Sequence, residues 1–164
     1  MFYLKCSIKT FLVIFALLFV AGCKDNQYIY EEVITIDTIY SQEEDEYYIY
    51  FYQEDCPYCE DCYETINEYL EYMNENKCTK LYICDLTDDF NKTIKRAYEG
   101  ENGQGSSGKY FVDGLTEYTE LYISGVPSLI KIDSTKTSYF VTSGRSNIKK
   151  HFNEIMKKAP IQSE

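Results

Sequence analysis

Apolar and polar positions alternate along this chain in three different ways, and each way predicts a different kind of element. Residues 11–20 are continuously apolar, a run well short of the ~20 residues a bilayer-spanning helix needs. Lys5 and Lys9 precede that run, and the small residues Ala21 and Gly22 follow it ahead of Cys23, which is the layout of a removable secretory signal. Residues 47–52 (Tyr-Tyr-Ile-Tyr-Phe-Tyr) are aromatic or β-branched without a break, as suits a central strand covered on both faces. After Pro57, a residue suited to the first helical position, Cys59, Tyr63, Ile66, Leu70 and Met73 recur at spacings of three and four; this predicts a helix of about four turns.

Asn74, Asn76 and Lys77 end that helix, and residues 80–84 (Lys-Leu-Tyr-Ile-Cys) read as a second strand, parallel to the first because a helix joins them. Residues 88–98 predict a second helix, and 99–109 a glycine and serine loop. A short helical segment over 115–122 leads to Gly125-Val126-Pro127, followed by a hairpin of strands 128–133 and 138–142 that Gly144 ends. Ser146 is the expected cap of a last helix whose apolar stripe is Ile148, Phe152, Ile155 and Ala159, with Lys157 and Lys158 near its C-terminus. Ahead of the first strand, residues 24–46 are polar and acidic apart from a β-type run at 33–39. They read as a tether ending in a solvated acidic turn, Glu43 to Glu46. The predicted organisation is a signal over 1–22, a tether and N-terminal strand over 23–46, one domain over 47–158 and a tail over 159–164.

Charge narrows the partners. The formal net charge of the 164-residue chain is −11 and becomes −13 once Lys5 and Lys9 leave with the signal. So acidic a chain is repelled by phosphate backbones and anionic lipid surfaces, so neither nucleic acid binding nor a polybasic membrane contact is supported. Any membrane link rests on Cys23. Val20-Ala21-Gly22-Cys23 resembles a bacterial lipobox, which implies cleavage before Cys23 and a diacylglycerol on its sulfur; two acyl chains suffice for stable anchoring.

Beyond Cys23 there are five cysteines, Cys56, Cys59, Cys62, Cys78 and Cys84. An odd number argues against a purely structural disulfide framework and fits redox chemistry or a metal site. In Cys56-Pro57-Tyr58-Cys59 the first thiol stands at a helix N-terminus, where free N–H groups and the helix dipole favour thiolate. Cys56 is therefore the expected nucleophile. Cys59, nearly one turn on, can attack a mixed disulfide at Cys56 and is the expected resolving thiol. Cys62 continues the three-residue spacing and, with Cys84, could approach a soft metal ion; however, the sole His151 lies far away and zinc patterns use separated pairs, so no metal is assigned. Cys78 paired with Cys62 or Cys84 is left open.

The order β-α-β, α, β-β-α, with Cys-x-x-Cys after the first strand and Val-Pro before the hairpin, resembles the thioredoxin fold over residues 30–158. Cys-Pro-Tyr-Cys matches the glutaredoxin version of the motif, and the lipobox setting is similar to thioredoxin-like lipoproteins of Gram-positive bacteria. The resemblance implies a three-layer α/β/α domain with a mixed central sheet. It also implies a cis Pro127 that sets the Val126 backbone against the cysteine pair, where it can meet an extended substrate. Roughly thirty residues, within 86–114, exceed what a minimal thioredoxin needs and form an insertion before that turn.

The sequence departs from the family in two ways. Asp55 stands where an aromatic residue usually precedes the first cysteine, and Tyr50 where a buried acid usually lies six positions before it. Glu54, Asp55, Glu60 and Asp61 oppose the thiolate, weakly where they are exposed. No glutathione-binding pattern occurs near Gly144 and no cofactor is expected. Most of the eighteen tyrosines read as packing, while Tyr58, between the cysteines, is expected to be exposed to a partner. The leading expectation is an extracytoplasmic thiol-disulfide oxidoreductase acting on cysteine-containing exported proteins or a membrane redox partner. A tethered binding module without redox turnover, or a metal carrier, are the rivals.

Overall fold

The computed structural model describes residue 30, residues 32–95 and residues 111–158. The signal, Cys23, the glycine and serine loop, the end of the helix expected over 88–98, and Ala159 lie outside those residues. Strand β1 (Tyr47–Tyr52) runs into a short helix α1 (Pro57–Glu60) and then α2 (Tyr63–Glu75); β2 (Lys80–Asp85), β3 (Ser128–Ile132), β4 (Ser138–Ser143) and α3 (Arg145–Lys158) follow. The strand order is β2-β1-β3-β4. β1 pairs parallel with β2 and antiparallel with β3, and β3 pairs antiparallel with β4. This mixed sheet, with the cysteine motif at the end of β1, is a thioredoxin-like α/β fold. Among the described residues, no helix is long and apolar enough to cross a membrane.

The unbroken hydrophobicity of β1 has the predicted cause, since the strand buries both of its faces. Tyr50 and Tyr52 face α2 and α3, packing with Ile66, Tyr69, Leu70, Ile148 and Phe152. Tyr47, Ile49 and Phe51 face the other way, against Ile36, Ile39, Leu86, Ile94, Leu121 and Ile123. Strand alternation likewise sends Leu81 and Ile83 of β2 to the helix face and Tyr82 and Cys84 to the opposite one.

The described part of that opposite layer is made of 3₁₀ turns and extended segments where α-helix was expected. Within 88–98 the described part is a 3₁₀ turn, Asn91–Ile94, followed by a bridge from Lys95 to Ile123. The Asp88 carboxylate accepts from the N–H groups of Phe90 and Asn91. Buried Asn91 spends its side chain on the Ile36 N–H and the Asp85 carbonyl. Local side-chain bonds of this kind compete with the helical ladder. The segment over 115–122 is reduced to Tyr118–Glu120. The β-type run at 33–39 splits: Val33 bridges Ile83 at the outer edge of β2, and Ile36–Thr38 turns as 3₁₀. Tyr30, Ile36 and Ile39 are buried, so the packed unit draws on the stretch expected as tether. The acidic turn is only partly solvated, as Glu44 accepts from the Tyr82 hydroxyl and Glu46 pairs with Lys131.

The helix after Cys56 is interrupted at Asp61 and Cys62, and Asn76 caps its end, with backbone and side chain both donating to the Tyr72 carbonyl. The last helix begins at Arg145, two residues earlier than a Ser146 cap would allow, so Ser146 lies inside its first turn. Gly144, at φ +79°, makes the reversal into it and donates to the Pro127 carbonyl, a backbone shape a Cβ disfavours.

Candidate active site

The end of β1 delivers Cys56 in an extended conformation, and Pro57 starts the helix at once. Cys56 is half-buried. Its Sγ accepts the Cys59 N–H at 3.2 Å, while its carbonyl accepts from Cys59 and Glu60 at 2.9 and 3.0 Å. Its own thiol is 3.8 Å from the Val126 carbonyl, to which it donates. The Val126–Pro127 peptide is cis. Val126 packs at the margin of both core clusters, so the residue beside Cys56 is anchored from each side of the sheet. Cys56, Cys59, Val126 and Pro127 thus converge from two segments about seventy residues apart in sequence.

Cys59 is 2 % exposed. Burial, together with its hydrogen bond to Cys56, pushes its thiol far above the ordinary range, so it keeps its proton until a neighbour takes it. Cys62 is fully buried, and burial pushes it up to about 11; its thiol donates to the Arg145 carbonyl at 3.8 Å. Tyr58 is 57 % exposed and lies under the Arg145 guanidinium, whose carbon is 5.4 Å from the ring centroid. Arg145 also pairs with Asp61. Glu54, Asp55, Glu60 and Asp61 are all exposed.

Two of these features escaped the sequence. Arg145 follows Gly144 directly, and only the fold shows that the start of the last helix abuts the cysteine motif. The setting of Tyr50 is the other. Its ring is wholly buried and its hydroxyl has no hydrogen-bond partner among the described residues. It faces the Cys62 sulfur, with Tyr30 and Cys59 close by. Tyr30, also buried and without a partner for its hydroxyl, completes the group by packing edge-on against Tyr50 and Tyr52.

The remaining cysteines are elsewhere. Cys84 is on the opposite face of the sheet, so it cannot complete a metal site with Cys56, Cys59 and Cys62. No group of three or more His, Cys, Asp or Glu among the described residues is arranged to hold a metal ion. Cys62 and Cys78 stand at opposite ends of α2, whose thirteen residues span about 20 Å, far beyond disulfide reach. Cys78 packs with the helix face and Cys84 with the other, which separates that pair too. His151 lies half-buried beside Tyr48 and Phe152, away from the cysteines.

No family model matches the chain, and no curated protein matches it. Among solved structures, it is similar to the first thioredoxin domain of mouse protein disulfide-isomerase A4, solved in solution. The two are 10 % identical, the match covers 88 % of this chain and 94 % of that one, and the TM-score is 0.40.

Proposed function

We propose that this protein is a thiol-disulfide oxidoreductase that exchanges disulfides with cysteine-containing exported proteins or with a membrane redox partner. A lipid on Cys23 would hold it at the extracytoplasmic face of the membrane. The observation that carries the reading is the asymmetry of the cysteine pair: Cys56 is partly exposed and its sulfur accepts an N–H bond, whereas Cys59 is enclosed and held protonated. A nucleophile and a resolving thiol need that division of labour.

In the reducing direction, the Cys56 thiolate attacks one sulfur of the client disulfide, and the other client sulfur leaves as a thiolate. Cys59 then gives up its proton and attacks the Cys56 sulfur. The second client sulfur is released, and the Cys56–Cys59 disulfide carries the two electrons' worth of oxidation the client has lost. The same steps run backwards for oxidation. Tyr58 and Val126 flank the attacking sulfur and are the residues a client would meet first.

A thiol-trapping redox titration of the full chain, read by peptide mass spectrometry, tests this. The expected result is a reversible Cys56–Cys59 couple, with a low potential marking a reductant and a high one an oxidant or isomerase. A pair that never forms, or that stays locked under strong reductant, overturns the reading in favour of a binding module.

A further inference from the structure

Resting on that reading, we infer that Cys62 is a third redox thiol: it exchanges with the Cys56–Cys59 disulfide to give a buried Cys59–Cys62 disulfide and a free Cys56. The backbone carries the first argument. The turn that brings Cys59 back onto Cys56, with an N–H to carbonyl bond of 2.9 Å, is repeated by Cys62 onto Cys59 at 3.0 Å. Cys56, Cys59 and Cys62 therefore form a ladder of equal steps. A helical i, i+3 step sets Cα atoms about 5 Å apart, within the ~4.4–6.8 Å that a disulfide bridges. All three side chains belong to one packed cluster.

The second argument is the Tyr50 hydroxyl. It is fully buried, faces the Cys62 sulfur, toward which it makes at most a weak thiol contact, and has no other partner among the described residues. A buried donor of this kind is satisfied when a thiolate forms beside it, and a Cys62 thiolate is the species that attacks. Tyr50 is thus a positioning residue for Cys62. The burial that disfavours this thiolate keeps it a transient, formed as the exchange proceeds.

The step balances without an external oxidant. The Cys62 sulfur attacks the Cys59 sulfur; the Cys59–Cys62 bond forms as the Cys56–Cys59 bond breaks. The Cys62 proton, held against the Arg145 carbonyl while the thiol is idle, ends on Cys56. Both sulfurs of the new bond are enclosed, at 2 % and 0 % exposure, while the accessible thiol is regenerated. The domain then holds oxidising equivalents inside and a nucleophile outside.

Glu60 and Asp61 separate Cys59 from Cys62, and Pro57 and Tyr58 separate Cys56 from Cys59, so proteolysis after Glu60 or after Tyr58 tells the two disulfides apart as linked peptides. The full chain is equilibrated with oxidised dithiothreitol, its free thiols are blocked, and both linkages are quantified. Wild type is expected to show both, and Cys56→Ser to show Cys59–Cys62. Free Cys59 and Cys62 in a folded Cys56→Ser variant, with Cys56–Cys59 formed in wild type, overturn the third-thiol inference alone; absence of Cys56–Cys59 from wild type at every potential overturns the oxidoreductase reading instead. Tyr50→Phe, which keeps all three thiols, is expected to lower the rate of interconversion several-fold, and an unchanged rate refutes the positioning role. Should Cys56→Ser fail to fold, the wild-type chain decides the matter: Cys59–Cys62 peptides present support the exchange, and their absence beside a formed Cys56–Cys59 couple refutes it.

Discussion

On the face of the sheet covered by 3₁₀ turns, the hydroxyls of Tyr40, Tyr47 and Tyr82 reach Ser138, the Ile39 carbonyl and Glu44. On the helix face, those of Tyr30, Tyr50 and Tyr72 have no partner among the described residues, although Tyr69 donates to the Thr79 carbonyl at 2.6 Å. The same side chain is thus used in two ways. On one face it ties the layer to the sheet, and a lost partner would cost stability. On the other, the Tyr30 and Tyr50 hydroxyls lie close to Cys59 and Cys62 and bond no N or O atom among the described residues. A fold holds such groups when the chemistry beside them needs them.

Three tests would break or sharpen that contrast. The largest effect is expected from Cys56→Ser, which should reduce insulin disulfide reduction with dithiothreitol to the uncatalysed rate. Cys84→Ala, on the opposite face, should keep the rate and lower unfolding stability by about 1 kcal/mol. Loss of turnover with Cys84→Ala would mean that the faces are not separate in function. Next comes a matched pair in denaturant unfolding: Tyr47→Phe should cost about 1–3 kcal/mol because the buried Ile39 carbonyl loses its donor. Tyr50→Phe should cost nothing or stabilise by up to about 1 kcal/mol. Equal losses would erase the distinction.

The smallest effect concerns His151, whose imidazole burial holds below its ordinary value, with Glu154 opposing that shift and Lys158 reinforcing it. A folded value below the unfolded one means that the unfolded chain binds the proton more readily. The stability so gained is present above about pH 6.5 and is lost as the pH falls through the folded value. His151→Gln should flatten the decline in melting temperature between about pH 7 and pH 5. An unchanged slope would assign the acid sensitivity to other groups.

Much of the fold was legible wherever a local pattern matched its final environment. The unbroken run Tyr47–Tyr52 became a strand buried on both faces, and the three-and-four spacing after Pro57 became two helices, α1 carrying Cys59 and α2 carrying Tyr63 to Met73. Positions 128–132 and 138–143 became the hairpin. Legibility failed where long-range bonds overrode local preference. Asn91 is held by Ile36, 55 positions away, and no window around residues 88–98 contains that partner. The cysteine motif was readable from spacing and a helix start. The contacts of Arg145 with Asp61 and Tyr58 were not, because they join segments that only the sheet topology brings together.

The two margins of the sheet have a consequence for how copies of this protein behave in a crowd. An open strand edge offers a row of unpaired N–H and C=O groups on which another molecule can polymerise. Along β2 that row is partly occupied, because the Ile34 N–H donates to the Ile83 carbonyl and the Ile83 N–H to the Glu32 carbonyl, both at 2.8 Å. Along β4 the pairing jumps from Leu129↔Thr142 to Ile130↔Phe140, leaving Val141 as an extra residue, and such a bulge bends and twists its strand away from a flat template. Two short devices, at residues 32–34 and at Val141, therefore guard colloidal solubility.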